Sequence, residues 1–207
     1  MALKIAMFSD FICPFCYIGF EVISKLKREF EFELDWRSFE IHPEWPTEAT
    51  PAEKVRGLGD AEARKAAWGR ITSMAEAEGL AIKAPAMLVS SHFALLAAEL
   101  AKEQGVGMEF CAKVYRGYFV DGADIGDPET LARFGAEAGL ARDAVLDALS
   151  SQHFEMRLKN TALAAHQRQV SGVPTFFFGE YPLVGAQSSD VMRQIIRRAT
   201  ERLAASA

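Results

Sequence analysis

Cys13-Pro14-Phe15-Cys16 places two thiols one helical turn apart, at the point where an apolar run gives way to a helical pattern. The run Leu3-Lys4-Ile5-Ala6-Met7-Phe8 has the length and apolarity of a buried strand, and Ser9-Asp10 breaks it. From Tyr17 onward Val22, Ile23, Leu26 and Phe30 fall on one helical face, while Glu21, Ser24, Lys25 and Arg28 take the other. Pro14 suits the first helical turn, where its missing N–H removes no hydrogen bond. Cys13 then stands at the helix N-terminus, where unpaired N–H groups and the positive dipole end stabilise a thiolate. The spacing predicts Cys13 as the exposed nucleophile and Cys16, a turn deeper, as the thiol that resolves.

Zinc needs four ligands, usually in two close pairs. Beyond this pair the chain offers only Cys111 and four scattered histidines, so no metal is expected. Three cysteines in 207 residues do not make a disulfide scaffold. Cys111 shares a helical stripe with Val114, Tyr115 and Tyr118, which reads as a small buried hydrophobe. A net charge of −5, with no basic run, argues against nucleic acid as a partner. Apolar stretches are too short to span a bilayer, and no leader is visible before Asp10, so a cytoplasmic location is expected.

The rest of the chain reads as strand chemistry at both ends and helices between. Phe32-Glu33-Leu34-Asp35-Trp36-Arg37 alternates strictly, as a half-buried strand does. Helical spacing follows from about Ala52: a helix over 60–78 stopped by Gly79, another capped by Ser90 or Ser91, and one through Cys111. Asp127-Pro128-Glu129 then supplies a cap, a proline and an acid for the next start. A segment over 140–149 and a long helix carrying Phe154, Leu158 and Val170 up to Gly172 complete this block. Val173-Pro174-Thr175-Phe176-Phe177-Phe178, a Gly179-Glu180 turn and the run 181–184 form a hairpin, with Pro182 confining the second strand to a sheet edge. A last helix carries Val191, Ile195 and Ile196 on its apolar side. Neither β portion is a complete sheet alone, so the two ends must meet. The expectation is an α/β fold with 1–50 and 171–207 as one domain and 51–170 as an inserted helical domain.

Four stretches, in order, carry a resemblance. They are Ser9-Asp10-Phe11-Ile12-Cys13-Pro14-Phe15-Cys16-Tyr17-Ile18-Gly19, Tyr118-Phe119-Val120-Asp121-Gly122-Ala123-Asp124-Ile125, Gly172-Val173-Pro174-Thr175-Phe176 and Val184-Gly185-Ala186-Gln187. Together they make the chain resemble the thioredoxin-fold DsbA superfamily, and more closely its FrnE-like subgroup. The resemblance implies a thioredoxin-like fold with a large all-helical insertion. It implies a cis Pro174 facing the cysteine pair, with the Val173 main chain pairing to an extended substrate. It implies a thiol–disulfide oxidoreductase with Cys13 and Cys16 catalytic and Pro14 and Phe15 setting the motif's properties. Protein or small-molecule thiols, glutathione among them, would be its partners, with no metal or organic cofactor required.

This chain has Phe15 where many relatives carry tryptophan, and Ser90 and Leu95 where relatives often carry asparagine and histidine. The resemblance is compatible with a homodimer, though no interface signature stands in the sequence. Asp10 belongs to the family motif; its Ser-Asp context reads equally as a solvated turn acid. Tyr17 fits either a site or a core position, and His42, alone in a loop, is assigned no catalytic role. The alternative is a glutathione-dependent isomerase or transferase, similar to 2-hydroxychromene-2-carboxylate isomerases and kappa-class glutathione transferases. Those enzymes typically present serine where this chain has Cys13.

Overall fold

A computed structural model describes residues 3–55 and 58–205. Strand β1 (Leu3–Ser9) buries Leu3, Ile5 and Met7 on one face and runs one residue further than the sequence pattern, through Ser9. Helix α1 (Pro14–Leu26) follows, and strand β2 (Phe32–Ser38) returns parallel to β1, with Met7 opposite Trp36. Phe30, expected on the α1 stripe, lies beyond the helix end.

The helical block comes next. Thr50–Pro51 (β3) pairs with Met87–Leu88 (β4) in a two-residue ladder that no alternation in the sequence announces. Between them runs α2 (Ala61–Ala77), whose Asp60 cap accepts from the Ala63 N–H at 2.8 Å. Helices α3 (His92–Glu103) and α4 (Gly107–Arg116) follow, and the chain then makes a π-helical turn over Gly117–Asp121. Helix α5 (Pro128–Ala138) starts as its sequence dictates: the Asp127 side chain accepts from the Thr130 N–H, and Gly139 ends it with φ 99°. Helix α6 (Arg142–Ala148) and helix α7 (Gln152–Gln167) close the block. The α7 helix stops five residues short of Gly172, because Gln169 turns to φ 57°, and Val170 lies outside it.

Strands β5 (Thr175–Phe178) and β6 (Tyr181–Val184) form the expected hairpin, and helix α8 (Ser189–Ala205) ends the described chain. Its buried face is Met192 and Ile196; Val191, expected to be apolar-facing, is exposed. The sheet order is β2-β1-β5-β6, so the N- and C-terminal β portions complete one sheet, β1 pairing antiparallel with β5. Pro182 lies on the edge strand β6, where a missing donor breaks no ladder. This is a thioredoxin-like mixed sheet with a large helical insertion between β2 and β5. One hydrophobic cluster runs from Ile5 and Ile23 through Leu95 and Tyr115 to Leu131, so the sheet and the helices share a core.

Candidate active site

Cys13 is the N-cap of α1, with extended backbone (φ −87°, ψ 115°), and Pro14 fills the first helical position. The Cys16 and Tyr17 N–H groups both donate to the Cys13 carbonyl, at 3.0 and 3.2 Å. Cys16 is thereby locked one turn in and fully buried. Cys13 departs from expectation. It is only 5% exposed, because the loop before β5 lies across it, and Phe15 takes the exposed position at 40%. The Cys13 Sγ donates to the Val173 carbonyl at 3.6 Å. The Val173–Pro174 peptide is cis. Gly19 permits this approach: a Cβ there would stand 3.1 Å from the Phe176 ring and 3.3 Å from Pro174 Cγ. Cys13, Pro14, Val173 and Pro174 are therefore brought together, with Cys16 beneath them.

Burial pushes the Cys16 thiol up, and the adjacent Cys13 pushes it further; the Ser9 hydroxyl and the Asp10 backbone act the other way. Cys111 is fully buried in the core, its thiol also pushed up by burial. Asp10 is not a solvated turn acid. It has no exposure, and its carboxylate accepts from the backbone N–H of Ile12 at 3.3 Å and of Ile41 at 2.7 Å. Burial raises its pKa from 3.8 to about 6. Tyr17 is buried too, stacked on Phe119 at 5.5 Å and donating to the Ala81 carbonyl.

A cleft of about 460 Å³ opens beside Cys13, walled by Ile41, Trp45, Trp68 and Tyr118, with Arg64 and His42 at its polar margin. His42 stacks on Trp45 at 4.5 Å, and its Nδ1 meets Glu44 at 2.8 Å. Nothing in the sequence marks Trp45, Trp68 or His42 as neighbours of Cys13. Their separation along the chain carries no local signal; only the fold of α2 and of the loop after β2 assembles them. A second polar constellation was likewise invisible. His92 lies between Glu40 (Nδ1, 3.1 Å) and Glu155 (Nε2, 2.7 Å), and the Ser90 hydroxyl donates to Glu40 at 3.2 Å. Leu95, where relatives often carry histidine, is fully buried. Among the described residues no group of three or more His, Cys, Asp or Glu side chains is placed so as to hold a metal ion.

With this geometry in place, the comparisons are specific about kinship. The model of the DSBA-like thioredoxin domain matches residues 4–197. The uncharacterized protein YwbO of Bacillus subtilis (strain 168) is 28% identical over 201 residues, covering 95% of this chain and 96% of that one. A probable DsbA oxidoreductase from Streptomyces coelicolor has a TM-score of 0.86 at 26% identity, covering 96% of this chain and 90% of that chain. A 2-hydroxychromene-2-carboxylate isomerase superimposes with a TM-score of 0.81 at 18% identity, covering 99% and 100%. The cytosolic disulfide reductase DsbM from Pseudomonas aeruginosa, solved with GSH, gives 0.72 at 17%, covering 96% and 100%. At these lower identities the likeness is one of fold.

Proposed function

Because the chain belongs to the DSBA-like thioredoxin domain family, we propose that it is a thiol–disulfide oxidoreductase of the FrnE-like branch, working through Cys13 and Cys16. The observation that carries this reading is the placing of Cys13. It caps α1 with Pro14 behind it, touches the Val173 carbonyl at 3.6 Å, and borders an apolar cleft with a second thiol directly beneath.

The Cys13 thiolate attacks a substrate disulfide and expels one substrate thiolate, leaving a mixed disulfide on Cys13. The Cys16 thiolate then attacks Cys13 Sγ, releases the second substrate thiolate and closes the Cys13–Cys16 disulfide. The reverse sequence oxidises a substrate dithiol. An extended substrate reaches the Val173 main chain by displacing the Cys13 thiol from its carbonyl. No metal or organic cofactor enters these steps. Glutathione is proposed as a thiol partner, supported by the glutathione-bound structure of the cytosolic reductase. A cytosolic setting is proposed with it; no helix among the described residues is long and apolar enough to cross a membrane.

The test is equilibration with glutathione redox mixtures, read by thiol trapping. The wild type is expected to interconvert between dithiol and intramolecular disulfide, its potential against the glutathione pool setting the direction of transfer. Cys13→Ser should abolish exchange, and Cys16→Ser should stop at the mixed disulfide. Glutathione-dependent turnover that survives Cys13→Ser would replace this reading with the isomerase or transferase chemistry.

A further inference from the structure

The cleft beside Cys13 holds room for more than a sulfur. Helix α2 turns Arg64, Ala67 and Trp68 toward it, three residues that share one helical face. Ala67 is too short to fill the space between its larger neighbours, which helps to leave the opening of about 460 Å³. The segment after β2 supplies His42 and Trp45. Both tryptophans are half-buried, so each keeps part of its apolar surface in water. Each is also held by a neighbour: Trp45 lies flat on His42 at 4.5 Å, and Trp68 leans on the buried Phe119 at 6.4 Å.

The polar side of the cleft is as well defined as the apolar side. Among the described residues that line it, Arg64 carries the one permanent charge, and none is a carboxylate. Arg64 Nη1 donates to the Gly59 carbonyl at 2.7 Å, and no ion pair engages the guanidinium among the described residues. The Glu44 carboxylate nearby is taken up by His42 Nδ1 at 2.8 Å and does not line the cleft.

We propose that the cleft binds a small disulfide, or its thiol, whose body is aromatic and carries one carboxylate, with the ring against Trp45 and Trp68 and the carboxylate on Arg64. The inference deepens the oxidoreductase reading above and rests on it. Glutathione matches this lining poorly, because it brings no ring and its ammonium would meet a guanidinium and no carboxylate. It serves as the reductant that reaches Cys13 without filling the cleft. A polypeptide offers aromatic side chains, but none of them carries a carboxylate, so it leaves Arg64 unmatched. In the reaction the Cys13 thiolate attacks the sulfur of the half seated in the cleft, the substrate S–S bond breaks, and its electron pair leaves on the other half as a thiolate. Cys16 then attacks Cys13 Sγ, and the seated half leaves as the second thiolate. The substrate disulfide is reduced to two thiols, the Cys13–Cys16 pair is oxidised to a disulfide, and glutathione thiols return the pair to the reduced state.

The experiment mixes reduced protein with one disulfide at a time, quenches with acid and counts the oxidised protein by intact mass. The panel is the disulfide of mercaptopropionate (carboxylate, no ring), that of benzyl-substituted mercaptopropionate (both), that of its primary amide (ring, no charge), and oxidised glutathione. Each rate constant is divided by that of free mercaptoethanol with the same disulfide, which removes intrinsic reactivity. Burial of one benzyl ring should raise the normalised rate about 10- to 100-fold. The carboxylate on a half-buried guanidinium should add about 3- to 10-fold. Arg64→Gln should abolish the preference for carboxylate over amide, and Trp68→Leu, which keeps the position apolar, should cut the preference for the ring about 2- to 10-fold. Equal normalised rates with and without the ring overturn the inference, as does a carboxylate preference that survives Arg64→Gln; the oxidoreductase reading stands in both cases. Faster reaction with oxidised glutathione, or with a disulfide-bonded unfolded protein, overturns it in the same way. If no disulfide yields the Cys13–Cys16 bond, the oxidoreductase reading falls, and the cleft assignment with it.

Discussion

Asp10→Asn isolates the energy held in the one buried carboxyl beside the active-site loop. Its two oxygens each accept a backbone N–H, from Ile12 and from Ile41, tying the loop before α1 to the segment after β2. Burial lifts its pKa from 3.8 to about 6. A carboxyl raised on folding holds its proton more tightly in the folded chain. Its stabilising contribution is therefore fully present below about 3.8 and is lost as pH rises through about 6. Each pH unit of difference corresponds to about 1.4 kcal/mol, so ionising Asp10 in place costs about 3 kcal/mol by neutral pH.

Asparagine never incurs that cost, but it offers one acceptor oxygen in place of two. The N–H left without a partner costs about 1–3 kcal/mol. The two effects oppose each other above about pH 6 and only the second remains at low pH. Urea unfolding of both proteins from about pH 4 to about pH 8 should show Asp10→Asn clearly the less stable at the acid end. The gap should close by about 2 kcal/mol toward the alkaline end. Taking the difference between the two proteins removes the other titrating groups, which are common to both. Stability curves that stay parallel across this range would refute the argument that Asp10 ionises inside the fold.

Two further perturbations follow from packing and charge elsewhere. The two flanking carboxylates, Glu40 first, raise His92 from the ordinary 6.5 to about 9, so its contribution is fully present below about 6.5 and lost as pH climbs through about 9. His92→Gln should therefore lose about 1–2 kcal/mol at neutral pH, allowing for solvent screening of partly exposed groups, and almost nothing above about pH 10; the check is chemical denaturation at both pH values. Gly117 starts the π-helical turn against α5, where a Cβ would fall 2.2 Å from the Phe134 ring. Gly117→Ala should cost about 1–3 kcal/mol through overpacking, read as a lowered urea midpoint with an unchanged slope.

The four strands of the main sheet and most helix starts are legible because they are written in short-range patterns. Alternation in 32–37, the cap and proline at Asp127-Pro128, and the Gly179-Glu180 turn each act over a few residues. The observed elements follow them closely. The failures have a common cause. The short β3–β4 ladder joins segments too brief to show a period. The α7 helix ends at a left-handed glutamine that no breaker residue marks. Val191 yields to Met192 because the direction of the core, and not apolarity alone, chooses the buried face of α8.

By itself the sequence determined the placing of two thiols on a strand-to-helix junction, the α/β class, and the need for the two chain ends to share a sheet. These follow from local backbone preference and from the requirement that apolar faces be covered. Tertiary structure alone decided what surrounds the thiols. The Val173 carbonyl that shields Cys13 is 160 positions away, and the Tyr115 hydroxyl meeting Ser9 is 106 away. Tertiary structure also turned Asp10 from a turn acid into a buried carboxyl, because burial depends on what packs over a residue. Desolvation and hydrogen bonding, which set the chemistry of Cys16, act through space; a linear pattern fixes which groups exist but not which of them meet.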